Sequence, residues 1–249
     1  SATALYSLVT GTATVTSGTC YLLGSAPKGD TGPTGATGPA GTDLAATRKR
    51  WWMNVGDGST NSTYVGFSGL TFTGSSTVAR SLASSSLRES IPYGAYVTAA
   101  GAGSSAQVHA AQNWCYLGNA AGRGGFTLSM RFCFESASSP ANQRCFFGLF
   151  PSSKGALGNV EPDTQINIIG VGAKAGDANL SIIHNDGSGT ATMATLGANF
   201  PARATDNVYE LVLTSVANSG IVSYTLTDAG TGNTTSSTLS SDIPANTTF

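Results

Sequence analysis

The stretch Phe126-Thr127-Leu128-Ser129-Met130-Arg131-Phe132-Cys133-Phe134 alternates large apolar residues with smaller or polar ones without a break. A period of two places Phe126, Leu128, Met130, Phe132 and Phe134 on one face of an extended strand, and that face needs a second layer to cover it. The neighbouring sequence supplies one. Cys145-Phe146-Phe147-Gly148-Leu149-Phe150 is a denser run that reads as a more buried strand, and Gln165 to Val171 gives another. Asn179-Leu180-Ser181-Ile182-Ile183-His184 leads into Asn185-Asp186-Gly187, a strong hairpin signal. Asn207 to Val216 and Ile221 to Thr227 form a pair joined by Ala217-Asn218-Ser219-Gly220, and a last hairpin turns through residues 228–233. No convincing helical period appears, and residues 79–90 form a short helix at best. Residues 53–249 therefore read as an antiparallel β-sandwich.

Composition agrees. Glycine accounts for 32 of the 249 residues, well above its ordinary share of about 7%. Only 10% of residues are charged, with 12 Lys and Arg against 13 Asp and Glu, a net charge of −1. That near-balance excludes a basic nucleic-acid binder, whose affinity rests on neutralising phosphates. A hydrophobic share of 40% excludes a disordered chain. No apolar run is long enough to span a bilayer, so membrane insertion is not expected. No charged-then-apolar leader opens the chain at Ser1, which leads us to expect a complete N-terminus and no signal-peptide secretion.

Upstream of the sandwich, residues 29–43 read Gly-Asp-Thr-Gly-Pro-Thr-Gly-Ala-Thr-Gly-Pro-Ala-Gly-Thr-Asp. Gly29, Gly32, Gly35, Gly38 and Gly41 recur at a strict period of three, with Pro33 and Pro39 in second position. This is the collagen pattern. Three polyproline-like chains leave no room for a side chain at their shared axis, so those five glycines are assigned to a trimer axis. A stem of this length spans about 45 Å and draws register and most of its stability from flanking trimeric parts. The alternative is a flexible linker. Residues 1–28 carry two short alternating stretches around Gly11, too little chain to fold alone, and read as N-terminal anchor strands. Residues 44–52 form a junction containing Arg48-Lys49-Arg50 and Trp51-Trp52. The tandem tryptophans read as a packing plug where three chains diverge into heads.

The residues that could carry chemistry do not assemble into a motif. Cys20, Cys115, Cys133 and Cys145 show no C-x-x-C spacing, so no zinc or redox site is expected. They read as buried free thiols, with a Cys133–Cys145 bridge open if their strands are neighbours. His109 and His184 lack a nucleophile or carboxylate at a diagnostic spacing and read as structural or surface residues. Gly122-Arg123-Gly124-Gly125 has no following Lys-Ser/Thr and reads as a turn before Phe126. Glu89, Glu135, Glu161, Asp163 and Asp177 are the carboxylates available for glycosidase chemistry, and none is singled out. Asp57 and Asn61 do not have the spacing of a calcium loop, and no metal or cofactor is expected. For glycan binding, exposed aromatics beside Asn, Asp and Gln suffice. Tyr64, Tyr93, Tyr96, Trp114 and Tyr116, in the turn-rich stretch between 57 and 118, are the candidate contacts, with Phe67 beside them.

Several segments together are similar to tail-fibre proteins of tailed bacteriophages. They are Ile183-His184-Asn185-Asp186-Gly187-Ser188-Gly189-Thr190-Ala191, then Leu196-Gly197-Ala198-Asn199-Phe200-Pro201, then Asn207-Val208-Tyr209-Glu210-Leu211. Leu239-Ser240-Ser241-Asp242-Ile243-Pro244-Ala245-Asn246-Thr247-Thr248 resembles them too, as do residues 144–149, Asn159-Val160-Glu161-Pro162 and the Trp51-Trp52-Met53-Asn54-Val55-Gly56-Asp57-Gly58 opening. The likeness is one of overall pattern over most of the chain, not of a catalytic motif. It implies an all-β virion fibre, assembled in the host cytoplasm as a homotrimer. An N-terminal anchor would dock on other virion proteins, followed by a collagen-like stem and a jelly-roll or laminin-G-like head. In that family the chain continues past the Pro-Ala-Asn-Thr-Thr stretch, whereas this one stops at Phe249. The expected role is adhesion to the host surface through a glycan, without catalysis. Alternatives are a head or collar decoration fibre, a bacterial collagen-like surface protein and a polysaccharide depolymerase.

Overall fold

The computed structural model describes residues 52–53, 64–65, 70–74, 76–80, 85–90, 93–98, 103–110, 115–118, 123–134, 142–151, 160–205 and 207–244, with side chains from 85 onward except Ala110. All of these lie in the unit Ala45–Phe249. The anchor 1–28, the axis glycines Gly29, Gly32, Gly35, Gly38 and Gly41, and Trp51 fall outside the described residues.

Strands β7 (Phe126–Cys133), β8 (Cys145–Leu149), β9 (Ile169–Ala173), β10 (Ser181–His184), β11 (Thr192–Thr195), β12 (Val208–Ser215), β13 (Val222–Asp228) and β14 (Thr234–Leu239) build two antiparallel four-stranded sheets. One has the order β14-β13-β12-β7, the other β11-β10-β9-β8. The second sheet is a meander laid down between β7 and β12. The chain then returns so that β12 pairs with β7 from Val208↔Cys133 to Ser215↔Phe126. Upstream, β1 (Trp52–Met53) pairs with β2 (Tyr64–Val65), β3 (Leu70–Gly74) with β6 (Ala106–Ala110), and β4 (Ser76–Arg80) with β5 (Tyr93–Val97). Helix is confined, among the described residues, to single 3-10 turns at Arg88–Ser90 and Pro162–Thr164. None is long and apolar enough to cross a membrane.

The core follows from the alternation. On β7, Phe126, Leu128 and Phe132 are buried and Met130 is half-buried, while Thr127, Ser129 and Arg131 face out. Tyr209, Leu211 and Leu213 of β12 and Val222, Tyr224 and Leu226 of β13 continue the same face. Cys145, Phe147, Leu149, Ile169, Val171 and Ala173 meet it from the opposing sheet. Phe132 and Phe147 stack across the gap with centroids 3.8 Å apart, a contact worth about 0.5–1.5 kcal/mol beyond burial.

The β8–β11 sheet is covered on its other face too. Phe146, Phe150, Ile168, Ile183, Ala191 and Met193 form a second cluster there, joined by the His109–Phe150 ring contact from β6. This explains the Ile-Gly-Val-Gly-Ala sequence of β9. Its branched residues face the main core, and glycines face Phe146 and Ile183. A Cβ at Gly170 would lie 2.9 Å from Phe146 Cζ, and one at Gly172 would lie 3.0 Å from Ile183 Cδ1.

Two expectations are corrected. Residues 165–168 are not strand: the chain leaves the 3-10 turn and bends through Asn167, at a left-handed φ of 56°, before β9 begins at Ile169. Residues 79 and 80 belong to β4 rather than to a helix, and the helical turn nearby among the described residues is Arg88–Ser90. The Asn185-Asp186-Gly187 signal does open a hairpin: β10 and β11 pair antiparallel across the connection it begins. Asn185 is fully buried and organises it, accepting the N–H of Gly187 at 2.7 Å and of Asn167 at 3.2 Å through Oδ1, and donating to the Ser188 carbonyl.

Candidate functional site

Four loops converge at one end of the sandwich. They are the β10–β11 loop with Asp186, the β12–β13 turn Asn218-Ser219-Gly220, the segment Ser240–Pro244 after β14, and Leu117-Gly118 ahead of β7. They enclose an open cleft of about 510 Å3.

The segment after β14 crosses from its own sheet to the other and is fastened there by Asp242. One carboxylate oxygen of Asp242 accepts the N–H of Asp186 at 3.0 Å, and the other accepts the N–H of Thr192 at 3.1 Å. Burial pushes this carboxyl up, but the Thr192 hydroxyl, the two N–H groups and the nearby His184 outweigh it and hold it below its ordinary value. The residue sits at a left-handed φ of 49°, which aspartate tolerates better than most side chains. Ile243 then inserts into the main core. His184 is buried beneath, with Nδ1 2.8 Å from the Asp242 carbonyl oxygen.

The opposite wall is equally fixed. Asn218 donates its N–H to the Leu117 carbonyl at 3.1 Å, and Gly125 donates to Tyr116 at 2.9 Å and to Leu117 at 3.2 Å. Gly124 and Gly125 adopt φ of 83° and 80°, the turn expected before Phe126. Asp186 uses Oδ1 to accept the N–H and hydroxyl of Ser188 at 3.0 and 2.8 Å. Its Oδ2, the Asn218 amide and the Ser240 and Ser241 hydroxyls take no hydrogen bond among the described residues.

The described carboxylates considered for hydrolysis, Glu89, Glu161, Asp163 and Asp177, do not line this cleft. Arg144 Nε pairs with Glu161 Oε1 at 2.8 Å, and Lys174 Nζ pairs with Asp163 Oδ2 at 2.7 Å. Glu161 Oε2 accepts the Ala175 N–H and Asp177 accepts that of Lys174. Arg203, at a φ of 61°, donates to the carbonyls of Gln143, Lys174 and Asp177. These contacts brace loops. Glu89 sits on the Arg88–Ser90 turn, paired with Arg88 and Ser85. Glu135 lies outside the described residues, as do Asp57 and Asn61. No group of three or more His, Cys, Asp or Glu side chains able to hold a metal occurs among the described residues.

Of the expected glycan contacts, the side chains of Tyr93, Tyr96 and Tyr116 are among the described residues. On β5, Tyr93 and Tyr96 are three positions apart and so point to opposite faces. Tyr64 pairs with Met53 on the β2–β1 ladder, and Trp114 lies outside the described residues. Trp52 pairs with Val65 on β1. Among the described side chains of the five, Tyr116 adjoins the cleft: it is 41% exposed and precedes the lining residue Leu117. Of the other cleft residues, Asp186 and Asn218–Gly220 lay in stretches read as turns, and Ser240–Pro244 lay in the 239–248 stretch quoted for its overall pattern. The Asn or Asp beside glycine in Asn185-Asp186-Gly187 and Ala217-Asn218-Ser219-Gly220 was the available signal, because both residue types favour loop conformations that display a polar side chain.

His109 on β6 lies against Phe150, with Nδ1 3.1 Å from Gln107 Nε2, and burial pushes its pKa down. Cys145 is a free thiol on β8 and faces the main core, whereas β7 and Cys133 belong to the opposing sheet; the strands are not paired and the bridge is not formed. No family model, curated protein or solved structure matches this chain.

Proposed function

We propose that this chain is a structural virion fibre of a tailed bacteriophage, homotrimeric, whose head attaches the particle to the host cell surface. The observation that carries the reading is the return of glycine at every third position from Gly29 to Gly41, immediately upstream of an all-β region. The pattern likeness of residues 183–201 and 239–248 to phage tail fibres supports it. So does a low-charge, Ser- and Thr-rich surface. In this reading residues 1–28 dock on another virion protein, residues 29–43 form the triple-helical stem, and residues 53–249 form a jelly-roll or laminin-G-like head. Three heads on one stem multiply weak contacts through effective concentration, so the mechanism is adhesion rather than catalysis.

Light scattering of the full chain tests the assembly. A mass three times the 25.1 kDa protomer is expected, and a monomer at micromolar concentration overturns it. Gly35→Trp should lower the melting temperature of the trimer, because the shared axis has no room for the ring. Imaging the intact particle separates a tail fibre from a head or collar decoration fibre. A reducing-end assay on host capsule or lipopolysaccharide tests the absence of catalysis: release of oligosaccharides would establish a depolymerase instead.

A further inference from the structure

We infer that the cleft bounded by Asp186, Asn218, Ser241 and Asp242 is a binding site for a neutral, hydroxyl-rich saccharide. The inference rests on the adhesion reading only in taking the ligand to be a cell-surface glycan.

Its volume of about 510 Å3 falls within the range of roughly 300–1,000 Å3 typical of small-ligand sites. The chemistry of its lining narrows the ligand. The Asp186 Oδ2 is a strong acceptor with no internal partner. The Asn218 amide offers both a donor and an acceptor, and the Ser240 and Ser241 hydroxyls offer either. A sugar hydroxyl both donates and accepts, so it matches this mixture. Among the described residues the lining contains no Lys, Arg or His and presents the two carboxylates Asp186 and Asp242. A phosphate, sulfate or uronate would meet repulsion there with no cation to offset it. Among the described residues no group of three or more His, Cys, Asp or Glu side chains is placed to hold a metal ion.

The rim supplies the complementary apolar part. Tyr116, Val216 and Ile221 are 41%, 63% and 42% exposed, on the segment ahead of Leu117 and on the two sides of the Asn218 turn. Such groups suit the C–H faces of a pyranose. The walls are held by the Asn218–Leu117 bond on one side and the Asp242 carboxylate on the other. Little ordering is therefore needed on binding.

The test uses the full chain on an array of bacterial capsule and O-antigen oligosaccharides, both neutral and uronate-bearing. Ser241→Tyr fills the cleft from an exposed position, and Asp186→Asn removes the free carboxylate oxygen while keeping Oδ1 for Ser188. Wild type should bind neutral oligosaccharides, and both variants should lose at least about tenfold in affinity, the loss of one or more hydrogen bonds. Tyr93→Ala should bind as wild type, and melting curves verify that each variant is folded. Three results would overturn the site: variants that bind as well as wild type, preference for uronates, or no neutral oligosaccharide bound at all. Light scattering on the same samples reports the trimer. A trimer with any of those results removes the cleft and leaves the fibre, whereas a monomer removes the fibre.

Discussion

His184 Nδ1 lies 2.8 Å from the main-chain carbonyl oxygen of Asp242, 58 positions further along the chain. A carbonyl only accepts, so the imidazole carries its proton on Nδ1. The same Asp242 turns its carboxylate to two backbone N–H groups of the opposing sheet. One residue thus ties the segment after β14 to β10 and β11 through both its main chain and its side chain.

Removing that carboxylate should loosen the end of the sandwich. Asp242→Ala should destabilise the head by about 1–3 kcal/mol, since hydrogen bonds to a charged acceptor lie in that range and a left-handed φ disfavours alanine. Asp242→Asn retains one acceptor and tolerates the backbone, so it should lose less. Thermal melting measures both. Equal melting temperatures for wild type and Asp242→Ala would contradict the role given to this residue.

Acid should act at the same place. The Asp242 carboxyl is held below its ordinary 3.8, because the hydrogen bonds and His184 outweigh burial. A group with a depressed folded pKa contributes stability that is present above the ordinary value and is lost as pH falls through the folded one. Wild type should therefore lose its advantage over Asp242→Asn below pH 3.8. Urea midpoints of the two proteins between about pH 5 and pH 2 should converge. A difference that stays constant over that range would exclude the effect.

Gly170→Ala should be strongly destabilising. The new methyl would stand 2.8 Å from Gly148 Cα and 2.9 Å from Phe146 Cζ, and would collide with the Phe147 carbonyl. Overpacking of this kind costs about 1–3 kcal/mol, and here the obstacle includes backbone that cannot swing aside. Gly176→Ala has open space around its Cβ and serves as a comparison that reports only the strain of its φ of 81°. Denaturant midpoints should place Gly170→Ala below Gly176→Ala; the reverse order would discredit the packing account of β9.

Cys115 and Cys145 should be inert while the β-region is folded. Burial pushes Cys115 and Cys145 up to about 12, in Cys145 despite a hydrogen bond from Ala173 and the nearby Arg203. Thiolate is the reactive species, so neither should alkylate with iodoacetamide near pH 8 until the protein unfolds. Mass mapping of the alkylated peptides, with and without denaturant, gives the answer, and rapid native labelling of Cys145 would contradict its burial.

The strands were legible where one periodicity ruled. Phe126–Phe134 and the pair built from 207–227 fold as their alternation requires, because one face of each is buried and the other meets water or polar neighbours. Residues 165–173 were misjudged at their start because both faces of β9 are covered, which erases the alternation and leaves glycine to mark close approach. The cleft was harder to see. Its residues run from Leu117 to Pro244, and only the pairing of distant strands brings them together. Aromatic residues were the visible cue for a sugar site, yet Tyr93 and Tyr96 fall on opposite faces of one strand. The polar groups that line the cleft instead resemble ordinary turn residues.

The return of β12 to lie beside β7 also dictates an order of events during synthesis. Strand β7 ends at Cys133, and the first residue that can pair with it, Val208, emerges only after the whole intervening meander. Until then its apolar stripe has no sheet neighbour, and closing so long a loop makes this a late and slow step. A ribosome that stalls before residue 208 would present a nascent chain whose β7 lacks its sheet partner, so the newborn chain is most vulnerable to aggregation in that interval.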